Sequence, residues 1–158
     1  MIWNGVARAI DTIIGQNHQG AIVTINDRAS GMLKMKKLNG KDAKELAIET
    51  VDILQEWKPF LQTITADNGK EFADHKFISE ALGIKFYFAR PYHSWERGSN
   101  ENLNGLIRQY IPKKTDFSTI TDEYVHYVET ELNNRPRKRH NFETPNYILN
   151  QKKVAFIT

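Results

Sequence analysis

Three β-branched, apolar runs open the readable part of this chain, and the spacers between them are too short to hold a helix. Ala9 to Gly15 (AIDTIIG) is followed, after Asn17-His18-Gln19-Gly20, by Ala21 to Arg28 (AIVTINDR). A third run, Gly31 to Leu38, is entered through Ala29-Ser30-Gly31. Strands joined by such short, turn-rich spacers must pair as an antiparallel meander, because a parallel crossover needs a dozen or more residues. This constraint fixes half of a sheet before any other residue is considered.

The rest of the chain changes period. Asn39-Gly40 punctuates it, and from Lys41 to Trp57 the apolar residues Ala43, Ala47, Val51, Leu54 and Trp57 recur at steps of three and four, predicting a helix. Its acids lie mostly off that stripe and read as a solvated face. Pro59 ends it, and Phe60 to Ala66 returns as a strand. Phe72 to Leu82 reads as a helix closed by Gly83, Ile84 to Phe88 as a strand, and Ala89 to Tyr92 as a loop. Helices are expected over about Glu96 to Tyr110 and Thr121 to Asn133, with a short terminal element at Thr144 to Asn150. A meander followed by strand-helix-strand units gives an α/β chain: a mixed five-stranded sheet, antiparallel then parallel, flanked by helices.

At 158 residues the chain is the size of one domain with a real core. No apolar run approaches the roughly 20 residues that a membrane-spanning helix needs, and MIWNGVARAIDTIIG lacks a signal-peptide pattern, so a cytoplasmic chain is expected. The absence of cysteine removes both a thiolate nucleophile and a soft metal ligand. Net charge is only +3, but its distribution is uneven. Arg135-Pro136-Arg137-Lys138-Arg139-His140 contains no acid and reads either as a solvated loop or as a phosphate-contacting patch.

Three acids stand where a side chain is held firmly. Asp11 interrupts the apolar strand Ile10 to Ile14; inside a core strand, a carboxylate costs several kcal/mol unless it is paired or binds a metal. Asp67 ends the fourth strand in TADNGKEF, where Asn68-Gly69 can adopt the positive φ angles of a tight turn. An EF-hand loop fails there, since the third, fifth and twelfth positions are Gly69, Glu71 and Ile78. A hairpin fails too, because Lys70 to Asp74 does not alternate, leaving a strand-to-helix crossing. Glu101 shares a helix face with Arg97, Asn104 and Arg108, as an ordinary ion pair or as a metal ligand among phosphate-binding neighbours. Singly, each acid has a structural explanation. Together, on two strands and a helix, they suit a pair of Mg²⁺ ions about 3.5–4 Å apart acting on a phosphodiester.

Four blocks in order carry a resemblance: IDTIIGQNHQGAIVTINDR, TADNGKEF, FARPYHSWERGSNENLNGLIRQYIPK and LNNRPRKRHNFETP. They resemble the catalytic core of bacterial insertion-sequence transposases of the IS-thirty group, within the retroviral-integrase-like superfamily. The resemblance implies a ribonuclease-H-like fold over residues 1–158 as a single integrase/transposase core, with 1–9 divergent and 135–158 a basic C-terminal segment. It also implies an Asp-Asp-Glu triad at Asp11, Asp67 and Glu101; the 33 residues between the last two match the group's spacing. Two Mg²⁺ or Mn²⁺ ions, DNA nicking and strand transfer follow as expectations, with Asn68 and Gly69 shaping the turn at the site. Arg97, Arg108, His93, Trp95, Arg135, Arg137, Lys138 and Arg139 become candidate DNA contacts.

DNA is then the expected partner, with no membrane and no small-molecule substrate, a homodimer or higher oligomer, and a place beside the bacterial nucleoid. Relatives of this kind carry a helix-turn-helix region before the core, which this chain does not show, so a truncated remnant that binds DNA or dimerises without chemistry is the alternative. A stand-alone nuclease or ribonuclease H with the same ligands would differ by cleaving RNA–DNA hybrids.

Overall fold

The computed structural model describes residues 8–40, 42–89 and 98–157. Five strands form one sheet in the order β3-β2-β1-β4-β5: β1 (Arg8–Ile14), β2 (Ala21–Asp27), β3 (Leu33–Leu38), β4 (Thr63–Ala66) and β5 (Lys85–Phe88). The meander is as expected: β1 pairs antiparallel with β2, Asp11 opposite Thr24, and β2 pairs antiparallel with β3. β4 then joins the other side of β1 in parallel, and β5 pairs in parallel with β4.

Pleating divides the core between the two faces of the sheet. Ile10, Val23, Ile25 and Ile64 pack with Leu46 and Leu54 near α1 (Ala43–Ile53) and with Ile78 and Leu82 of α2 (His75–Leu82). Ile13, Ile22, Leu33 and Met35 pack on the other face with Leu103 and Ile107 of α3 (Gly98–Ile107) and with Val125, Val128 and Leu132 of α4 (Asp122–Asn133). Successive residues of β2 feed opposite clusters, which is why the whole strand is buried.

The first helix departs from the expected Lys41–Trp57 span. It begins at Ala43, where the Asp42 side chain accepts from the Lys44 amide, and stops at Ile53. A 3₁₀ segment, Gln55–Phe60, carries the chain through Pro59. Its three-residue period puts Trp57 and Phe60 on one side, and both are buried. Helical periodicity over that stretch therefore combined two kinds of helix. The fourth strand is correspondingly shorter than expected, starting at Thr63, and α5 (Pro145–Ile157) is longer than the expected Thr144–Asn150. Gly83 closes α2 in the left-handed region at φ 66°, as a C-terminal cap.

Away from the parallel-strand ends, a buried ion pair joins β1 to β2: Arg8 Nε lies 3.1 Å from Asp27 Oδ1, with both side chains fully buried. Burial lowers the Arg8 pKa, opposed by the Asp27 charge. Asp27 Oδ2 also accepts from the Ser30 hydroxyl at 2.5 Å, tightening the β2–β3 turn.

Candidate active site

β1 and β4 run in parallel with Ala9 opposite Thr65, a register that, carried two residues past the last paired positions, would bring Asp67, just beyond the end of β4, level with Asp11. Ala66 belongs to the α1/α2 core and Ile13 to the α3/α4 core. Alternation therefore places both aspartates on the face covered by α3. Both are half-buried.

Helix α3 reaches this face through its polar side. Asn104 Nδ2 donates to Asp11 Oδ2 at 3.1 Å, and Thr12 N donates to Asp11 Oδ1 at 2.8 Å. Leu103 and Ile107 hold the same helix on the core. Glu101, one turn before Asn104, is exposed in the first turn of α3. It lines a cleft of about 560 Å³ with Thr12, Ile13, Ile14, Asn104, Gly105, Arg108 and Lys113. Among the described residues, no group of three or more His, Asp or Glu stands close enough to hold an ion as the side chains lie. Asn104 Oδ1 is buried beside the acids without a hydrogen-bond partner.

The turn after Asp67 differs from the expected one. Neither Asn68 nor Gly69 takes a positive φ: Gly69 is extended, at φ −104° and ψ 152°, and leads into a short 3₁₀ turn, Lys70–Phe72. A β-carbon at Gly69 would fall 2.5–2.7 Å from the Glu71 carboxyl atoms, the far end of a flexible side chain that can move aside. Glu71 Oε1 in turn accepts from the Thr12 hydroxyl at 3.3 Å, next to Asp11 in sequence. Glu71, which the sequence reading did not single out, therefore lies on the α1 side of β1 with Thr12, Leu38 and Leu46, away from the face that carries Asp11.

No protein-family model matches the chain. A transposase of insertion sequence element IS4351 from Bacteroides fragilis is 58% identical over 151 residues, 93% of this chain and 46% of that protein. A transposase of element IS1086 from Cupriavidus metallidurans is 38% identical over 94% of this chain and 43% of its own length. Transposase InsI of element IS30A from Escherichia coli K12 is 40% identical over 81% of this chain and 34% of its own length. The chain is a homologue of insertion-sequence transposases. It spans less than half the length of these curated relatives. The catalytic core domain of BIV integrase, at 16% identity, superposes with a TM-score of 0.76 over 98% of this chain and 100% of that domain. That match, with the mixed sheet, gives the transposase homologue the ribonuclease-H-like fold of an integrase core.

In this homologue the expected DNA contacts fall in different places. His93, Trp95 and Arg97 lie outside the described residues. Arg108 is half-buried, and its guanidinium donates to three backbone carbonyls: Ile14 at 3.3 Å, and Ile111 and Pro112 at 3.4 Å. Burial lowers its pKa, yet an arginine stays charged.

The basic block is folded down onto the β2–β3 turn. Arg139 donates to the Arg28 carbonyl at 3.1 Å, and the His140 ring meets the Ser30 carbonyl at 2.9 Å. Arg137 donates to Leu132 O at 2.9 Å; burial lowers its pKa first, and its neighbours Arg135 and Arg139 add to the effect. Arg135 donates to Gln109 Oε1 at 3.2 Å and lies over the Tyr110 ring, while Lys138 is exposed. Because Arg8 pairs with Asp27 and Ile14 with Ala21, the β2–β3 turn is at the sheet end opposite to the one toward which Asp67 projects. The structure does not bring the block and the acids together. No helix among the described residues is long and apolar enough to cross a membrane.

Proposed function

We propose that this chain is the catalytic core of a metal-dependent DNA transposase that nicks DNA and joins strands, with Asp11, Asp67 and Glu101 as its acids. The supporting observation is the register of β1 and β4, which presents two aspartates on one face beneath the helix that bears Glu101. The donor set is all hard oxygen, with a buried, unpartnered Asn104 Oδ1 alongside, and suits Mg²⁺ or Mn²⁺. Such a pair of ions, when bound, would activate the attacking oxygen and stabilise the leaving one.

The chain's own residues do the positioning. Asn104 holds Asp11 by one carboxylate oxygen, so the acid cannot swing toward the core. Thr12 N holds the other oxygen and fixes the carboxylate plane. Three carboxylates repel a phosphodiester unless cations stand between them, so DNA and metal are expected to bind together. Glu101, exposed on the cleft wall, is accessible to an incoming strand. DNA as partner, self-association and a location at the bacterial nucleoid follow from the same reading.

Asp67→Asn keeps the size and removes the charge. It should abolish Mn²⁺-dependent nicking of plasmid DNA while leaving circular dichroism and Tm within error of the unsubstituted chain. Nicking at an unchanged rate would refute the assignment. A silent DNA-binding remnant would instead bind DNA and nick it at no Mn²⁺ concentration.

A further inference from the structure

Beyond the acids, a second cleft continues from the first and shares Ile14, Arg108 and Lys113 with it. It has a volume of about 470 Å³ and lies between two turns: Gly15 to His18 after β1, and Lys113-Lys114 between α3 and α4. The turns are tied to each other, because Gln16 N donates to Thr115 O at 2.9 Å. Arg108 forms the floor, its two terminal nitrogens donating to the Ile14, Ile111 and Pro112 carbonyls. It contributes a fixed positive charge more than a free hydrogen-bonding fork.

The walls are cationic and held in costly backbone conformations. Lys113 and Lys114 are exposed, and among the described residues no carboxylate pairs with either lysine or with Arg108. Asp116, two residues on, turns its carboxylate to the Ser118 amide and hydroxyl, at 2.9 and 2.7 Å. Asn17, His18 and Lys114 all have φ between 57° and 69°, where side chains crowd the backbone. Three strained residues facing one cleft suggest a shape kept for a ligand.

We propose that this cleft binds the phosphates of a DNA strand that has passed the acids, with Lys113 and Lys114 as its contacts and Arg108 as its fixed charge. The proposal rests on the functional reading above and names where the strand leaves the site. Glu101 and Arg108 are seven residues apart in sequence, about 10 Å at 1.5 Å per residue. At 3.4 Å per nucleotide, the lysines would meet phosphates roughly three steps or more from the one attacked. Arg137 and Arg139 are bonded to Leu132 O and Arg28 O, away from this stretch, and Arg135 is turned onto Gln109 and the Tyr110 ring.

The test is the salt dependence of DNA binding by the double variant Lys113→Ala/Lys114→Gly, read by fluorescence anisotropy in EDTA so that metal plays no part. Glycine at 114 relieves the positive φ, so Tm should not fall below that of the parent chain. Losing two phosphate contacts should flatten the slope of log K against log salt by about 1.4–1.8, and weaken binding at low salt about tenfold or more. A control, Lys58→Ala/Lys85→Ala, removes two exposed lysines elsewhere and should leave the slope near the parent value.

An unchanged slope in the cleft variant, an equal change in the control, or no DNA binding by the parent chain would overturn the proposal. If the variant instead loses calorimetric binding of inorganic phosphate and keeps its DNA slope, the cleft takes a free anion and the strand assignment is wrong. Nicking in Mn²⁺, measured separately, keeps the two readings apart. A chain with a lysine-dependent slope that never nicks sinks the catalytic reading and keeps the cleft; one that nicks with a lysine-independent slope does the reverse.

Discussion

Asp11 and Glu71 show how differently single residues announce themselves. Asp11 was legible because a charge inside an apolar strand is expensive, and the expense asks for a reason. Glu71 was not, because its place depends on a space left by Gly69 and a hydroxyl on another strand. The Asn68-Gly69 pair was read as a turn of positive φ, whereas Gly69 is extended, with the Glu71 carboxylate folded against it. Asn104 makes the residue-scale prediction. Asn104→Ala removes the donor to Asp11 Oδ2 and should cost about 0.5–1.5 kcal/mol of stability, read by urea unfolding. Mn²⁺-dependent nicking should fall by a factor of about ten or more, through misplacement of Asp11. Activity that stays at the parent level would mean that Asp11 needs no such support.

Among the elements, the sheet was readable because spacer length decides between hairpin and crossover. The sequence could not show how the open edge of β3 is covered. Helix α4 does so with side chains. Asn133 accepts from Leu33 N at 2.8 Å and donates to Leu33 O at 2.9 Å, and Glu129 accepts from Met35 N at 2.8 Å. Beyond these, the Lys37 side chain ties the end of the strand to the entry of α4, donating to Ile120 O at 2.6 Å. With Leu33 N, Leu33 O and Met35 N taken up, the first half of this edge is a poorer template for another chain. Asn133→Ala would leave two buried backbone groups unpaired, at a cost of about 2–4 kcal/mol. A Tm loss of roughly 4–15 °C should follow in a domain of this size, with aggregation on heating. The apolar spacing of Val125, Val128 and Leu132 carries no sign of the role of Asn133, whose partner lies 100 residues away in sequence.

Across the whole molecule, charge is sorted by position more than by amount. In the densest run of cations, Arg139 braces the β2–β3 turn and Arg137 the end of α4, while Arg108, Lys113 and Lys114, within seven positions of one another, line the clefts on the Glu101 side. Counting charges along the chain therefore highlights a cluster that the fold keeps from the acids, because tertiary docking decides which cations line the cleft. The double variant Arg137→Ala/Arg139→Ala should lower Tm, having lost the bonds to Leu132 O and Arg28 O. Its salt slope for DNA should change less than that of the Lys113/Lys114 variant. A larger change would place the DNA path across the opposite end of the sheet.

Helix α3 is fastened to β1 twice, by Asn104 at Asp11 and by Arg108 at Ile14. Two rivets along one rod stop it from sliding, since a shift of a single helical turn would shear both at once. If Glu101 joins the two aspartates at a metal, as the proposed function requires, the movement is confined to the turn before Asn104, as a swing of that exposed side chain or a rewinding of the backbone that carries it. The spacing of the acids would then be set by a hinge one turn long, while the rest of the helix stays a fixed rail.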